Sequence, residues 1–147
     1  MKPRAPTIYV AEPSPAYLAR SPVVIDCSVF GTFLFAEAHA ESAREIVSGR
    51  DLHAPWLLDH EIANVADKKR RAGVDAALVE AGIALYGDYI VTLHRTMPGD
   101  VLELAATYSL STYDAAYLAV AAALHMPLVT FDRKLAKAAL RHLGALE

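Results

Sequence analysis

Residues 22–29 read PVVIDCSV, an apolar, β-branched run interrupted by Asp26. A run of this kind between turn signals suits a strand buried on both faces, with Cys27 inside it as a small apolar residue. Helical patterns follow through FGTFLFAEA and then ESAREIV, which Gly49 closes. A second strand is predicted over residues 51–54, and Pro55 suits the first turn of a helix reaching about Arg71, with Gly73 as its stop. Asp75 caps the next helical pattern, VDAALVEAGIALYGDY, and residues 90–93 form a further strand. Pro98 opens a helix to about Tyr108, and YDAAYLAVAAA, residues 113–123, supplies another. Residues 127–131 are a strand before a final helix from Arg133. Strands alternating with helices imply right-handed crossovers, hence an α/β fold with a mostly parallel sheet covered on both faces.

Composition narrows the function classes. The chain has 147 residues, 54% of them hydrophobic and 21% charged, which fits one globular domain with a sizeable core. Its formal net charge of −3 offers no global attraction for nucleic acid, so any such binding must come from local patches. The single cysteine, Cys27, cannot form an internal disulfide, and no Cys/His cluster has zinc spacing. No apolar run reaches the ~18 residues of a membrane span, and there is no signal-peptide pattern, so a cytoplasmic protein is expected. Residues 1–22 hold five of the eight prolines and are predicted to be an extended, partly ordered arm before a domain spanning 23–147. The closing GALE leaves room for no more than a stub of a last strand.

Ligands bind beyond the carboxyl ends of strands in open parallel sheets. Asp26 follows VVI and Asp132 follows LVTF, so both are expected at one sheet edge, although an Asp at such a junction also caps the helix that follows it. Glu61 falls among Leu57, Leu58, Ile62 and Val65 on the inward face of its helix and needs a partner, either a cation or a hydrogen bond from Asn64. Ser111 and Asp114 have capping-box spacing, yet Tyr117, Leu118 and Ala121 point the same face inward. Ser28, Thr112 and Thr130 each stand two residues from one of these aspartates, which places hydroxyl and carboxylate on a shared face in extended chain. Four converging carboxylates require something to offset their repulsion, and a hard divalent cation such as Mg²⁺ or Mn²⁺ does so. Metal-assisted chemistry on a phosphodiester is the natural use of such a site.

Taken together, VVIDCSVF, APWLLDHEIANV, STYDAAYLAVAAAL and PLVTFDRKL resemble the PIN-domain ribonucleases, and most closely the VapC-like toxins of prokaryotic toxin–antitoxin pairs. The resemblance covers residues 23 to about 143 and implies a three-layer fold with a sheet of four to five strands. It implies that Asp26, Glu61, Asp114 and Asp132 are the family's acidic quartet, with Ser28 and Thr130 in support. The implied activity is metal-dependent endonucleolytic hydrolysis of RNA leaving 5′-phosphate and 3′-hydroxyl ends. Asp26, Glu61 and Asp114 would be the leading ligands and Asp132 an outer partner. A homodimer and an antitoxin that blocks the pocket are implied as well. The chain departs from the family in its proline-rich arm and in stopping where a last strand often stands, which would leave a sheet edge open.

Two basic features could bring RNA to an acidic protein: Lys68, Lys69, Arg70 and Arg71 at one helix end, and Arg133, Lys137 and Arg141 along the last helix. Each also has a plain reading, as charge complementing a helix C-terminus or as a solvated face. Trp56 is expected to pack, and His60 and His94 lack ligand spacing. Two rival functions use the same residues: a non-catalytic module with an acidic pocket, such as a phosphoacceptor domain, and a PIN-type nuclease of RNA maturation. The first is disfavoured because no adjacent acidic pair stands early in the chain and no lysine directly follows the last strand.

Overall fold

The structure is a computed structural model and describes residues 8–11 and 21–146. The elements in chain order are β1 (Tyr9–Ala11), β2 (Pro22–Ile25), α1 (Cys27–Leu34), α2 (Ala40–Val47), β3 (Asp51–Pro55), α3 (Leu58–Arg71), α4 (Ala76–Asp88), β4 (Val91–His94), α5 (Pro98–Tyr108), α6 (Thr112–Leu124), β5 (Leu128–Thr130) and α7 (Arg133–Leu143). They form a five-stranded sheet in the order β1-β5-β2-β3-β4. The neighbours from β5 to β4 pair in parallel and β1 alone is antiparallel.

Val23, Val24, Ile25, Leu128 and Val129 are fully buried, as expected of strands covered on both faces. Helices α1 to α4 pack on one another as one set, and α5, α6 and α7 as a second, with α6 crossing β2, β3 and β5. The three-layer α/β architecture read from the sequence is therefore present. The first strand is shorter than expected: it ends at Ile25, and Cys27 opens α1. Pro55 is the last residue of β3 and not the first turn of α3, which starts at Leu58. Gly49 and Gly73 do end their helices, at φ values of 73° and 80° that suit glycine.

The arm contributes more than a lead-in. Tyr9, Val10 and Ala11 pair with Thr130, Val129 and Leu128, so β1 occupies the free side of β5, and that edge is not open. An edge place suits a segment rich in proline. Pro3, Pro6, Pro13 and Pro15 lie outside the described residues.

An aromatic cluster fixes α1 against α4. Phe30 stacks on Phe33 at 6.3 Å, and Tyr86 and Tyr89 meet Phe30 edge-on, each at 5.5 Å. Pairs of this kind add about 0.5–1.5 kcal/mol each beyond burial. Close approach of the two helices requires Gly82, because a Cβ there would collide with the Phe35 ring and stand 3.0 Å from the Leu34 carbonyl oxygen. Gly87, one turn further along α4, faces open space. Gly82→Val is expected to lower stability in a denaturant titration by about 1–3 kcal/mol, whereas Gly87→Ala should raise it by up to about 1 kcal/mol. Equal losses at both positions would remove close packing as the reason for Gly82.

Candidate active site

Parallel pairing of β2 with β5 brings the ends of both strands to the same sheet edge. The Asp26 N–H donates to the Val129 carbonyl at 3.0 Å, which sets Asp26 beside the last residues of β5. Asp26 is 5% exposed, and its Oδ2 accepts hydrogen bonds from Ser28 Oγ at 2.6 Å and Thr130 Oγ1 at 2.8 Å. The two hydroxyls in turn accept backbone N–H groups, Ser28 from Phe131 at 3.1 Å and Thr130 from Asp132 at 2.9 Å. Each hydroxyl has one proton, and both protons are committed to Asp26. The 3.4 Å approach between Ser28 and Thr130 is therefore a contact without a shared proton.

Capping accounts for some of the carboxylates and not others. Asp132 Oδ1 does cap α7, accepting the Leu135 N–H at 2.8 Å. Asp26 holds the N-cap position of α1 but makes no side-chain cap bond, so its carboxylate is committed elsewhere. Ser111 caps α6 by accepting the Asp114 N–H at 3.0 Å, which leaves the Asp114 carboxylate half-buried in the first turn. Glu61 receives its hydrogen bond from the hydroxyl of Tyr117, which is fully buried on α6. Among the described residues no Lys, Arg or His lies in ion-pair range of Glu61.

Asp26, Glu61, Asp114 and Asp132 together line a cavity of about 300 Å³. Ser28 lines it too, while Thr130 lies buried beneath, bonded to Asp26. Thr112 does not reach it: both Thr112 and Asp114 are helical, so a two-residue spacing turns their side chains apart. Asn64 is exposed and lines a neighbouring cleft with Glu61, and Tyr117 takes the supporting place expected of it. Glu37 also borders the cavity, with its carboxylate 2.5 Å from Lys69. Tyr117 stands three residues after Asp114, and that helical spacing was the signal for it. Glu37 had no such signal, because its place depends on the turn after α1.

The electrostatics are those of a site short of positive charge. Burial holds the Asp26 carboxyl above its ordinary value, against the pull of Ser28 and Thr130, and the charges of Asp114 and Asp132 raise it further. Burial likewise pushes Glu61 up to about 7, partly offset by Tyr117, and raises Asp114. Among the described residues no lysine or arginine lines the cavity. Oxygen donors of this kind suit a hard divalent cation, which keeps several waters and takes only one or two carboxylates directly. Among the described residues no three acidic, His or Cys side chains form a ready-made metal cage. Cys27 is half-buried at the cavity wall and not inside a strand, and burial pushes its thiol up to about 12.

The two basic features fare differently. Lys69 pairs with Glu37, and Arg70 and Arg71 share Asp67, at 2.5 Å and 2.7 Å, so two carboxylates offset half of the four charges of the Lys68–Arg71 run. On α7, Lys137 and Arg141 line a cleft with Lys134, whereas Arg133 is exposed outside it. Trp56 is 58% exposed and does not pack in the core. His60 is exposed, and His94 stacks on His53 with Nε2 2.8 Å from Nδ1.

Comparison with known proteins agrees with this geometry. The PIN domain family model matches residues 23–140. The chain is 31% identical to Ribonuclease VapC3 of Pyrobaculum aerophilum over 121 residues, which are 78% of this chain and 92% of the relative. It is 32% identical over 120 residues to Ribonuclease VapC9 of Mycobacterium tuberculosis, covering 77% and 87% of the two chains. The crystal structure of PAE2754 from Pyrobaculum aerophilum superposes with a TM-score of 0.62 at 26% identity, covering 85% of this chain and 96% of that one. An acidic pocket at the carboxyl edge of a parallel sheet, framed by these matches, makes the chain a member of the PIN domain family, similar within it to the VapC ribonucleases.

Proposed function

We propose that the protein is a divalent-metal-dependent endoribonuclease and the toxin of a toxin–antitoxin pair, acting in the cytoplasm. The observation that carries this reading is the convergence of Asp26, Glu61, Asp114 and Asp132 on one cavity, with no cationic side chain among the described residues of its wall. Relatives named as VapC ribonucleases support the choice of RNA as substrate. Mg²⁺ or Mn²⁺ held there would supply Lewis-acid activation of water and offset charge on the phosphate. Asp26, Asp114 and Glu61 would be its ligands, directly or through water, and Asp132, whose Oδ1 caps α7, an outer partner.

The chain's own groups have distinct tasks. Ser28 and Thr130 fix the Asp26 carboxylate in one orientation and leave Oδ1 free of those hydroxyl bonds. The Tyr117 hydroxyl occupies Glu61 Oε2, so a proton taken up by Glu61 would go to Oε1. A homodimer and an antitoxin that covers the acidic pocket complete the reading.

Purified, antitoxin-free protein is expected to cleave cellular RNA with Mg²⁺ or Mn²⁺ and to stop in EDTA. Asp26→Asn and Asp114→Asn should each reduce cleavage by at least about 100-fold, the scale set by losing a directly acting group. Full activity in both variants, or no cleavage of any RNA, would sink the proposal. Thr130→Val should cost less than Asp26→Asn, because it frees Asp26 without removing it.

Stability should also depend on pH. In metal-free protein Glu61 holds its proton up to about 7 when folded, against an ordinary value of 4.5. Its contribution is therefore fully present below 4.5 and is lost as pH rises through about 7. Melting in EDTA is expected to occur at progressively lower temperature across that window, and Glu61→Gln should flatten the trend. Mg²⁺ should raise the melting temperature more at pH 8 than at pH 5. A flat profile in EDTA would contradict the burial of Glu61 beside Asp26 and Asp114.

A further inference from the structure

Beyond the acidic pocket, one cavity gathers positive charge. It measures about 280 Å³ and lies between the end of α5, which supplies Thr107, Tyr108 and Ser109, and α7, which supplies Lys134, Lys137 and Arg141. The three cations stand at i, i+3 and i+7, one stripe of a helix. The Tyr108 hydroxyl lies 3.0 Å from His142 Nδ1, and the two rings meet edge-on at 5.5 Å, which pins the end of α5 against α7. Among the described residues no carboxylate lines this cleft, and none of the three cations makes an ion pair. That contrasts with Lys69, which pairs with Glu37, and with Arg70 and Arg71, which share the Asp67 carboxylate at the surface.

The cleft adjoins the acidic site. Asp132 borders one cavity and Lys134 the other, both at the start of α7. From Lys134 to Arg141 the stripe runs about 10 Å along the helix axis, room for more than one phosphate. In a chain of net charge −3, unpaired cations beside a ring of carboxylates give an approaching polyanion a landing place that the catalytic cavity itself cannot offer.

We propose that the cleft between α5 and α7 binds backbone phosphates of the RNA strand to one side of the scissile bond, with Lys134 nearest the carboxylates and Arg141 farthest. This rests on the ribonuclease reading above and adds the path that the strand takes. Ser109 and Thr107 supply hydroxyls along the opposite wall. Phosphate binding of this kind positions the strand and carries no base preference.

The test measures binding of a labelled single-stranded RNA in EDTA, so that no turnover interferes, across a salt series. Lys137→Gln with Arg141→Gln should make the plot of log affinity against log salt shallower by about 1.4, at about 0.7 for each phosphate no longer neutralised, and weaken binding about tenfold or more. Arg70→Gln with Arg71→Gln removes the same charge from paired residues and should change the slope much less. With Mg²⁺ present, the α7 double variant should raise KM far more than it changes kcat, the mark of lost uniform substrate binding. Unchanged affinity and slope would overturn the proposal. So would unchanged affinity with a lowered melting temperature, which would make the cations counter-charges for the α5 C-terminus. Failure of the ribonuclease reading would show separately, as wild-type RNA left uncut with Mg²⁺.

Discussion

The bond on which the rest depends is the pair of hydroxyl contacts to Asp26 Oδ2 from Ser28 and Thr130. A buried carboxylate is costly unless its oxygens are bonded. Here the two bonds also join the first turn of α1 to the end of β5, and each hydroxyl receives a backbone N–H from the segment that leads into α7. The orientation of one acidic group and the register of two strand ends are thus one structural fact. Burial first, and the neighbouring carboxylates after it, push up three of the four carboxyls, and a cation would offset both.

Much of this was legible in the residues. Alternating apolar runs and helical patterns carried the layer architecture, because strands buried on both faces must read as continuous hydrophobic segments. Strand-end aspartates carried two members of the acidic set. The inward face of the α3 pattern carried Glu61. What was not legible depended on where helices begin. Ser28 supports Asp26, but from the first turn of a helix reaching back and not from extended chain, so the right residue was reached by the wrong geometry. The same assumption placed Thr112 in the site, where the helix turns it away.

Basic residues show the opposite failure. A run such as Lys68 to Arg71 is conspicuous in one dimension, yet its charges meet Asp67 and Glu37 once α3 winds and α1 packs beside it. Lys134 is inconspicuous as a binding residue, because its cleft is made by α5, whose end is a loop in sequence terms. The Asp67 pairs follow from helical spacing, whereas the Lys69–Glu37 pair needs tertiary structure.

The antiparallel strand β1 has a consequence for synthesis. Its partner β5 lies some 120 residues further along, with Tyr9 opposite Thr130, and Thr130 is also the residue that completes the Asp26 network. Sequence-distant pairings of this kind form late, after loop closure has become possible. A chain emerging from the ribosome can therefore assemble neither its outer sheet edge nor its acidic pocket until β5 is out.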